Sequence, residues 1–457
     1  MAGKRRRRDL PPSEIFMNDD LRTEIVRLAR QYHESKPQPA FVPGETYIPP
    51  SGKVIDGEDC AHLIDASLDM WLTAGRYADR FEEELAAKFG RRYSKLTVSG
   101  SAANLLAFAC LTSWKLGEKR IKPGDEVITV AAGFPTTVSP IVQYGCIPVF
   151  VDVDLETHNV DVDLLEAAIT DKTRAVMIAH SLGNPFDVAR VAEICKAHKL
   201  YLIEDCCDAF GAFVGGQHVG TFGDVATLSF YPAHHITMGE GGAVLVNNPL
   251  LAKIVESFRD WGRDCYCKPG VDNTCNKRFG WRLGDLPKGY DHKYTYSHIG
   301  YNLKVSDMQA AVGLSQLKKL DHFVERRREN FAGLEQRLRA RGLDRYFHLP
   351  VPTPGTEPSW FGYLMTVRDG SGIERNLLTK TLEERKVGTR LLFAGNLTKQ
   401  PAFKHVDYRI HGTLDNTDKV MMDSFWIGVW PGIDDPRMDY MVDTIEAVVR
   451  EMLEAKG

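Results

Sequence analysis

No stretch of this 457-residue chain approaches the roughly 18 uninterrupted apolar residues of a membrane-crossing helix, so no helical span is expected. Nor is there a surplus of one charge. Lys plus Arg number 57 against 61 Asp plus Glu, a formal charge of −4, which excludes global attraction to nucleic acid or an anionic membrane. The opening run Lys4-Arg5-Arg6-Arg7-Arg8 is followed by Asp9 and two prolines, not by the apolar stretch of an export signal, and is expected to be a solvated head. Low complexity is also missing: 39 Gly, 23 Pro, 43% apolar and 26% charged residues exclude collagen-like and disordered classes. Nine cysteines in a chain expected to stay in the reducing cytoplasm point to core fillers, metal ligands or nucleophiles, not disulfides.

What is present is an alternation. After helical spacing from Glu14 to His33, a Pro-rich connector from Lys36 to Pro50 leads to another helical stretch ending near Gly90. Short apolar runs then recur at Glu126 to Val130, Pro148 to Val151, Ala175 to Ile178, Tyr201 to Ile203 and Val225 to Phe230, with amphipathic segments between most of them. That pattern predicts an α/β fold with a mainly parallel sheet under helices, and Asp161 and Asp187 are expected to cap two of those helices. From Cys265 to about Ser297 the periodicity gives way to a stretch rich in Cys, Gly and aromatic residues, too long for an ordinary connection. Two helical segments follow, Ser306 to Lys319 and Asp321 to Arg341. The expected layout is an extension over residues 1–50, a large domain over 51–325 with the insertion at about 265–297, and a smaller αβ domain over 326–457.

In open α/β sheets ligands sit beyond the carboxyl ends of the strands, so polar residues just after apolar runs are informative. Glu204-Asp205-Cys206-Cys207-Asp208 follows Tyr201-Leu202-Ile203, and Ser229-Phe230-Tyr231-Pro232-Ala233-His234-His235 follows Thr227-Leu228 and runs on to Gly239-Glu240-Gly241-Gly242. Earlier, Val98-Ser99-Gly100-Ser101-Ala102-Ala103-Asn104 places small residues at a helix start, where free N–H groups can hold a phosphate.

Taken together, and with Gly75-Arg76-Tyr77, Gly183-Asn184-Pro185, Gly300-Tyr301-Asn302 and Gln309 to Leu314, these segments resemble the fold type I pyridoxal-phosphate enzymes, in detail the sugar aminotransferases of the DegT/DnrJ/EryC1/StrS type. The resemblance implies that Asp205 faces a pyridine nitrogen and keeps the ring protonated. It places Phe134 on the ring, Ser229 with the amides at Gly100, Ser101 and Ala102 on the phosphate, and Asn302 at the cofactor of a neighbouring subunit in a homodimer.

One position departs from that pattern. The family's Schiff-base lysine stands five residues after the serine, and here that residue is His234, followed by His235. Imidazole cannot form the covalent link, but its ordinary pKa near 6.5 suits a general base, so the resemblance implies pyridoxamine 5′-phosphate (PMP) held noncovalently. Asp208 and Tyr231 are expected beside His234 as further catalytic groups, with His235 supporting them. Arg390, in Gly388-Thr389-Arg390-Leu391, is a candidate for nucleotide-sugar phosphates or a surface ion pair.

Four cysteines have the spacing C-x57-C-x-C-x7-C: Cys207, Cys265, Cys267 and Cys275. Four thiolates suit a tetrahedral zinc or an iron–sulfur cluster, and spacing does not separate the two or exclude ordinary buried thiols. This spacing, with SFYPAHHITMGEGG from Ser229 to Gly242 and RDWGRDCYC from Arg259 to Cys267, is similar to that of the NDP-4-keto-6-deoxyhexose 3-dehydrases, PMP enzymes with a [2Fe–2S] cluster. The similarity favours Cys207 as ligand and sends Cys206 into the core. It implies condensation of the cofactor amine with a sugar C4 ketone, proton removal by His234, loss of the C3 hydroxyl, and one-electron reduction fed by an NAD(P)H-linked flavin or iron–sulfur reductase or a ferredoxin. A CDP-linked 4-keto-6-deoxyhexose and a dTDP-linked 4-keto-2,6-dideoxyhexose both suit it. Competing readings are a sugar aminotransferase or cluster-free dehydratase, and a noncatalytic zinc-stapled binding protein.

Overall fold

The computed structural model describes residues 12–37 and 39–456; the basic run Lys4 to Arg8 lies outside them. An eight-stranded sheet forms the centre of the molecule: β1 Tyr93–Thr97, β2 Glu126–Val130, β3 Ile147–Val151, β4 Thr173–Ala179, β5 Tyr201–Asp205, β6 Val225–Ser229, β7 Gly242–Val246 and β8 Arg409–Ile410. Their order is β1-β7-β6-β5-β4-β2-β3-β8, and β7 alone runs antiparallel to its neighbours. The runs EVITV, VATLS and GAVLV are buried along their whole length, as strands covered on both faces must be. The five apolar runs read from the sequence are all strands of this sheet.

Two strands escaped that reading. In β1, YSKLT carries a lysine whose ammonium is held by Glu256 at 3.0 Å, so a polar residue occupies a sheet position. In β7, the strand follows the Gly239-Glu240-Gly241 turn and reads as part of it. Helices Pro12–Glu34, Asp307–Leu317 and Leu320–Ala340 occupy the stretches with helical spacing. The single stretch read before Gly90 is two helices, Gly57–Leu68 and Arg76–Phe89, the second ending on Gly90 in the left-handed region (φ 67°). Asp161 and Asp187 cap their helices by accepting from the Asp163 and Arg190 N–H groups. Among the described residues no helix is long and apolar enough to cross a membrane.

A second, antiparallel sheet of Phe347–His348, Gly362–Val367 and Ser424–Gly428 packs with helices Arg375–Glu384 and Asp435–Glu454. Helix Leu320–Ala340 joins the two cores: Leu320, Phe323 and Val324 pack beside the large sheet, whereas Phe331, Leu334 and Leu338 pack in the second core. Ile48 belongs to that second core and exchanges backbone bonds with Lys386 and Gly388. Arg409 of β8 returns to the large sheet and forks onto the Glu126 carboxylate at 3.0 and 2.8 Å. From Cys265 to Ser297 the chain makes an excursion whose only regular element is the turn His292–Tyr294, closed at its foot by Asp260 against Asn302 and Arg263 against Tyr296.

The sheet register prepares the site. Gly242 pairs with both Thr97 and Ser229, which brings the turn after β1 against the end of β6. A Cβ on Gly242 would lie 2.3 Å from the Ser99 carbonyl oxygen, so that approach requires glycine. Gly242→Ala is expected to cost about 1–3 kcal/mol, read as a lower urea midpoint with an unchanged slope; an unchanged midpoint would show that the turn has room to yield.

Candidate active site

A cavity of about 530 Å³ opens beyond the carboxyl ends of β4, β5 and β6, where the sheet rule places ligands. Asp205, the last residue of β5, reaches its floor and is 3% exposed. Its Oδ2 accepts from Asn104 Nδ2 at 2.8 Å and Thr137 Oγ1 at 2.7 Å, and Oδ1 accepts from the Cys207 N–H at 3.1 Å. Asn104 is itself oriented by Thr227 Oγ1. Alternation along the strand separates its acids: Glu204 points the other way, fully buried, and accepts from the N–H groups of Gly220, Phe222 and Gly223.

Helix Gly100–Leu111 begins at the cavity wall. Its small residues let it lie almost wholly buried, and at Gly100 the contact is closest: a Cβ there would stand 2.4 Å from Ser229 Cβ and 3.0 Å from Cys207 Sγ. The N–H groups of Gly100 and Ser101 have no acceptor among the described residues and face the Ser229 hydroxyl across the cavity mouth. This is an anion cradle. Ala102 corrects the expectation, because its N–H donates to Ser99 Oγ at 3.1 Å as the helix caps itself; the phosphate donors are therefore Gly100 and Ser101.

His234 and Asp208 meet in the same cavity, Nε2 standing 3.6 Å from Oδ1. Burial lowers the His234 pKa to about 4, against the pull of the Ser229 backbone and Asp205, so the imidazole is neutral at physiological pH. Burial, reinforced by the Asp205 charge, raises Asp208 to about 8, with Arg327 opposing. One oxygen of Asp208 and Nδ1 of His234 are buried without a hydrogen-bond partner. His235 points away, its Nε2–H donating to the Ser359 carbonyl at 2.8 Å, which suits a supporting residue and not a base. Tyr231 is half exposed at the cavity edge, its ring edge-on to that of His234.

Phe134 caps helix Pro135–Gln143 and stands over the cavity, edge-on to Phe393. Arg390 lines the opposite wall; its guanidinium donates to the Thr389 carbonyl at 2.6 Å and stands 3.5 Å from Glu383, so both readings of it have a physical basis. Asn302 lies outside this cavity, exposed, with Oδ1 accepting from Lys304. Sequence reasoning gave no role to Asn104, Thr137, Arg327, Leu182, Phe361 or Trp426. Asn104 and Thr137 lay within or beside segments that were read, one helical turn past Gly100 and three residues past Phe134. The others come from remote segments without a local signal, although Leu182 betrays itself in the structure by a left-handed backbone (φ 44°) at the cavity wall.

The four spaced thiols are not brought together within the chain. Cys207 belongs to the cavity just described, while Cys265, Cys267 and Cys275 line a separate small pocket with His292. Among the described residues the one group of three metal-ligating types within 4.8 Å is His180, Glu204 and Cys206, in which Glu204 is already saturated by N–H donors. Cys206 is fully buried in the core, as expected.

A buried carboxylate at the floor, an anion cradle 2.4 Å too tight for any side chain at Gly100, and an aromatic wall fit a protonated pyridine ring bearing a phosphate. Comparison with known proteins agrees. The chain is 56% identical over 429 residues to the lipopolysaccharide biosynthesis protein RfbH of Salmonella typhimurium, covering 94% of this chain and 98% of that one. It is 54% identical over 433 residues to the dTDP-4-dehydro-2,6-dideoxy-D-glucose 3-dehydratase of Saccharopolyspora spinosa, covering 95% and 93%. The solved structure of the E. coli GDP-4-keto-6-deoxy-D-mannose-3-dehydratase with bound hydrated PLP superposes with a TM-score of 0.78 at 29% identity, over 88% of this chain and all of that one (100%). The model of the DegT/DnrJ/EryC1/StrS aminotransferase family matches residues 53–446, more than half of the chain, and with these relatives shows that the chain belongs to that family and has its α/β, mainly parallel fold type I architecture.

Proposed function

We propose that the chain is a PMP-dependent 3-dehydratase of a nucleotide-linked 4-keto-6-deoxyhexose, CDP-linked or a dTDP-linked 2,6-dideoxy sugar, in deoxysugar biosynthesis. The observation that carries this reading is His234: the residue five beyond Ser229 is a neutral imidazole in the cavity, not a lysine. The printed activities of the S. spinosa and E. coli relatives, both 3-dehydratases of 4-keto sugars, support it.

PMP bound here supplies a primary amine for the sugar ketone and a ring that takes up an electron pair. Asp205 holds a proton at the pyridine nitrogen, and its three donors keep that carboxylate from turning away. The Gly100 and Ser101 N–H groups and the Ser229 hydroxyl hold the phosphate. Phe134 covers one ring face and excludes water from it. His234 receives a proton at an imidazole nitrogen and is returned to neutrality by handing it on, Asp208 lying 3.6 Å away as the nearest acid group. Tyr231 orients the sugar at the cavity edge, and Arg390 takes the nucleotide phosphates, exchanging its contact with Glu383.

The thiol spacing extends the reading to a [2Fe–2S] cluster, a separate NAD(P)H-linked reductase or ferredoxin, and a homodimer in which Asn302 serves the neighbouring cofactor. The thiols suit iron–sulfur chemistry in type and number, but their separation within one chain does not, so no step is assigned to such a cluster here. That separation favours a second reading, a cluster-free dehydratase, and iron with acid-labile sulfide analysis on anaerobically purified protein separates the two.

His234→Asn is expected to lower kcat by about 10²–10⁴-fold with PMP affinity unchanged by titration; full turnover in that variant would remove His234 as the base. The acid limb of kcat/KM carries a second expectation. Because burial depresses the His234 pKa to about 4, the proton-accepting form persists below the ordinary histidine value, and activity should hold from pH 7 down to about pH 5. A limb centred near 6.5 would show that His234 titrates as an exposed group or that another base acts.

A further inference from the structure

Cys207 and the other three spaced thiols are held apart by fixed structure. Cys207 follows β5 directly, its N–H donates to Asp205 at 3.1 Å, and its sulfur lies against Gly100, the first residue of helix Gly100–Leu111. The excursion that carries Cys265, Cys267 and Cys275 is moored beyond the opposite end of that helix. There Asp264, next to Cys265, accepts from Lys115 Nζ, Ser297 Oγ and His292 Nε2, and Trp114 Nε1 donates to the Ser297 carbonyl at 2.8 Å. A helix of 12 residues is about 18 Å long, so the mooring of the three thiols and the place of the fourth stand at its two ends.

The same excursion leaves a large apolar surface uncovered. Tyr266, Phe279, Tyr290, Tyr294 and Tyr296 are each exposed, and Ile299 at its foot is 96% exposed. A concentration of bare aromatic surface on one segment marks a contact with another molecule. Cys207, for its part, lies in the wall of an open cavity where a thiol from outside can reach it.

We propose that the metal centre is completed between two copies of this chain, Cys265, Cys267 and Cys275 of one copy meeting Cys207 of the other. The inference rests on the iron–sulfur reading above and commits the apolar surface of the excursion to a second copy of this chain, because only that copy is known to bring the missing thiol. A two-fold arrangement then produces two equal centres, each needing residues of both copies. The 4.8 Å spacing that no three thiols attain in one chain is supplied by the encounter, and the cluster itself bridges the copies.

Mixed dimers test this. Two differently tagged chains, Cys207→Ser and Cys267→Ser, are co-expressed, doubly tagged dimers are isolated, and iron, sulfide and visible absorbance are measured after anaerobic reconstitution. Each variant alone should lose nearly all of its iron. The mixed dimer should recover about half of the wild-type content, since one of its two centres has Cys207 from one chain and all three other thiols from its partner. A mixed dimer without iron would overturn the proposal, because four thiols from one chain leave both centres broken. Full iron in Cys207→Ser alone would also overturn it and turn attention to His292, 3% exposed, with Nδ1 unpartnered beside the three thiols. A wild-type chain that takes up no iron under the same conditions would defeat the iron–sulfur reading itself, before any variant is compared, and a monomer with full iron would defeat only the sharing.

Discussion

A carboxylate buried at the end of a strand is costly unless donors surround it, and the Asp205 carboxylate gathers its donors from separate elements. Asn104 comes from the helix after β1, Thr137 from the helix after β2, and the Cys207 N–H from the turn after β5 itself; Thr227 of β6 holds Asn104 in its turn. Satisfying one anion therefore sets two helix starts and two strand ends relative to one another. The cradle at Gly100 and Ser101, the Ser229 hydroxyl and the wall at Phe134 are placed by the same fastening. The carboxylate keeps its charge for a pyridine nitrogen because its donors are neutral and leave that charge uncompensated.

Next to it, the protein arranges the opposite state. His234 and Asp208 are buried without cationic contact at hydrogen-bonding distance, and burial drives both toward neutrality: the imidazole loses its proton, and the Asp208 carboxyl holds one up to about pH 8. One charged and one uncharged group thus lie within the same cavity, which is how a site can stabilise a cationic ring and still keep a base ready. Arg327, fully buried and donating to the carbonyls of Trp360 and Phe361, contributes distant positive charge that limits how far Asp208 rises. His235 spends its proton on Ser359 and fixes the chain direction that lets its neighbour face the cavity.

Much of this was legible because it is local. The five apolar runs, the caps at Asp161 and Asp187, the parity that sends Cys206 inward and Cys207 to the cavity, and the replacement of lysine by His234 are each read within a few residues. Ala102 was misread for a local reason as well, since a serine at the preceding cap competes for its N–H and outbids a phosphate that has to arrive from solvent. Strand β1 was hidden by a lysine whose carboxylate partner stands more than 150 residues away in sequence, at Glu256.

The amino-acid sequence by itself determined the alternating strands and helices, the residue types at the strand ends, and the absence of an amine at position 234, because periodicity and covalent chemistry need no neighbours. Only the tertiary structure decided which donors hold Asp205, how far burial shifts His234 and Asp208, and where the four spaced thiols stand. Those properties depend on distances between segments remote in sequence. The thiols show the difference most plainly: their spacing along the chain suggests one centre, and the length of a helix places Cys207 and the mooring of the others at opposite ends.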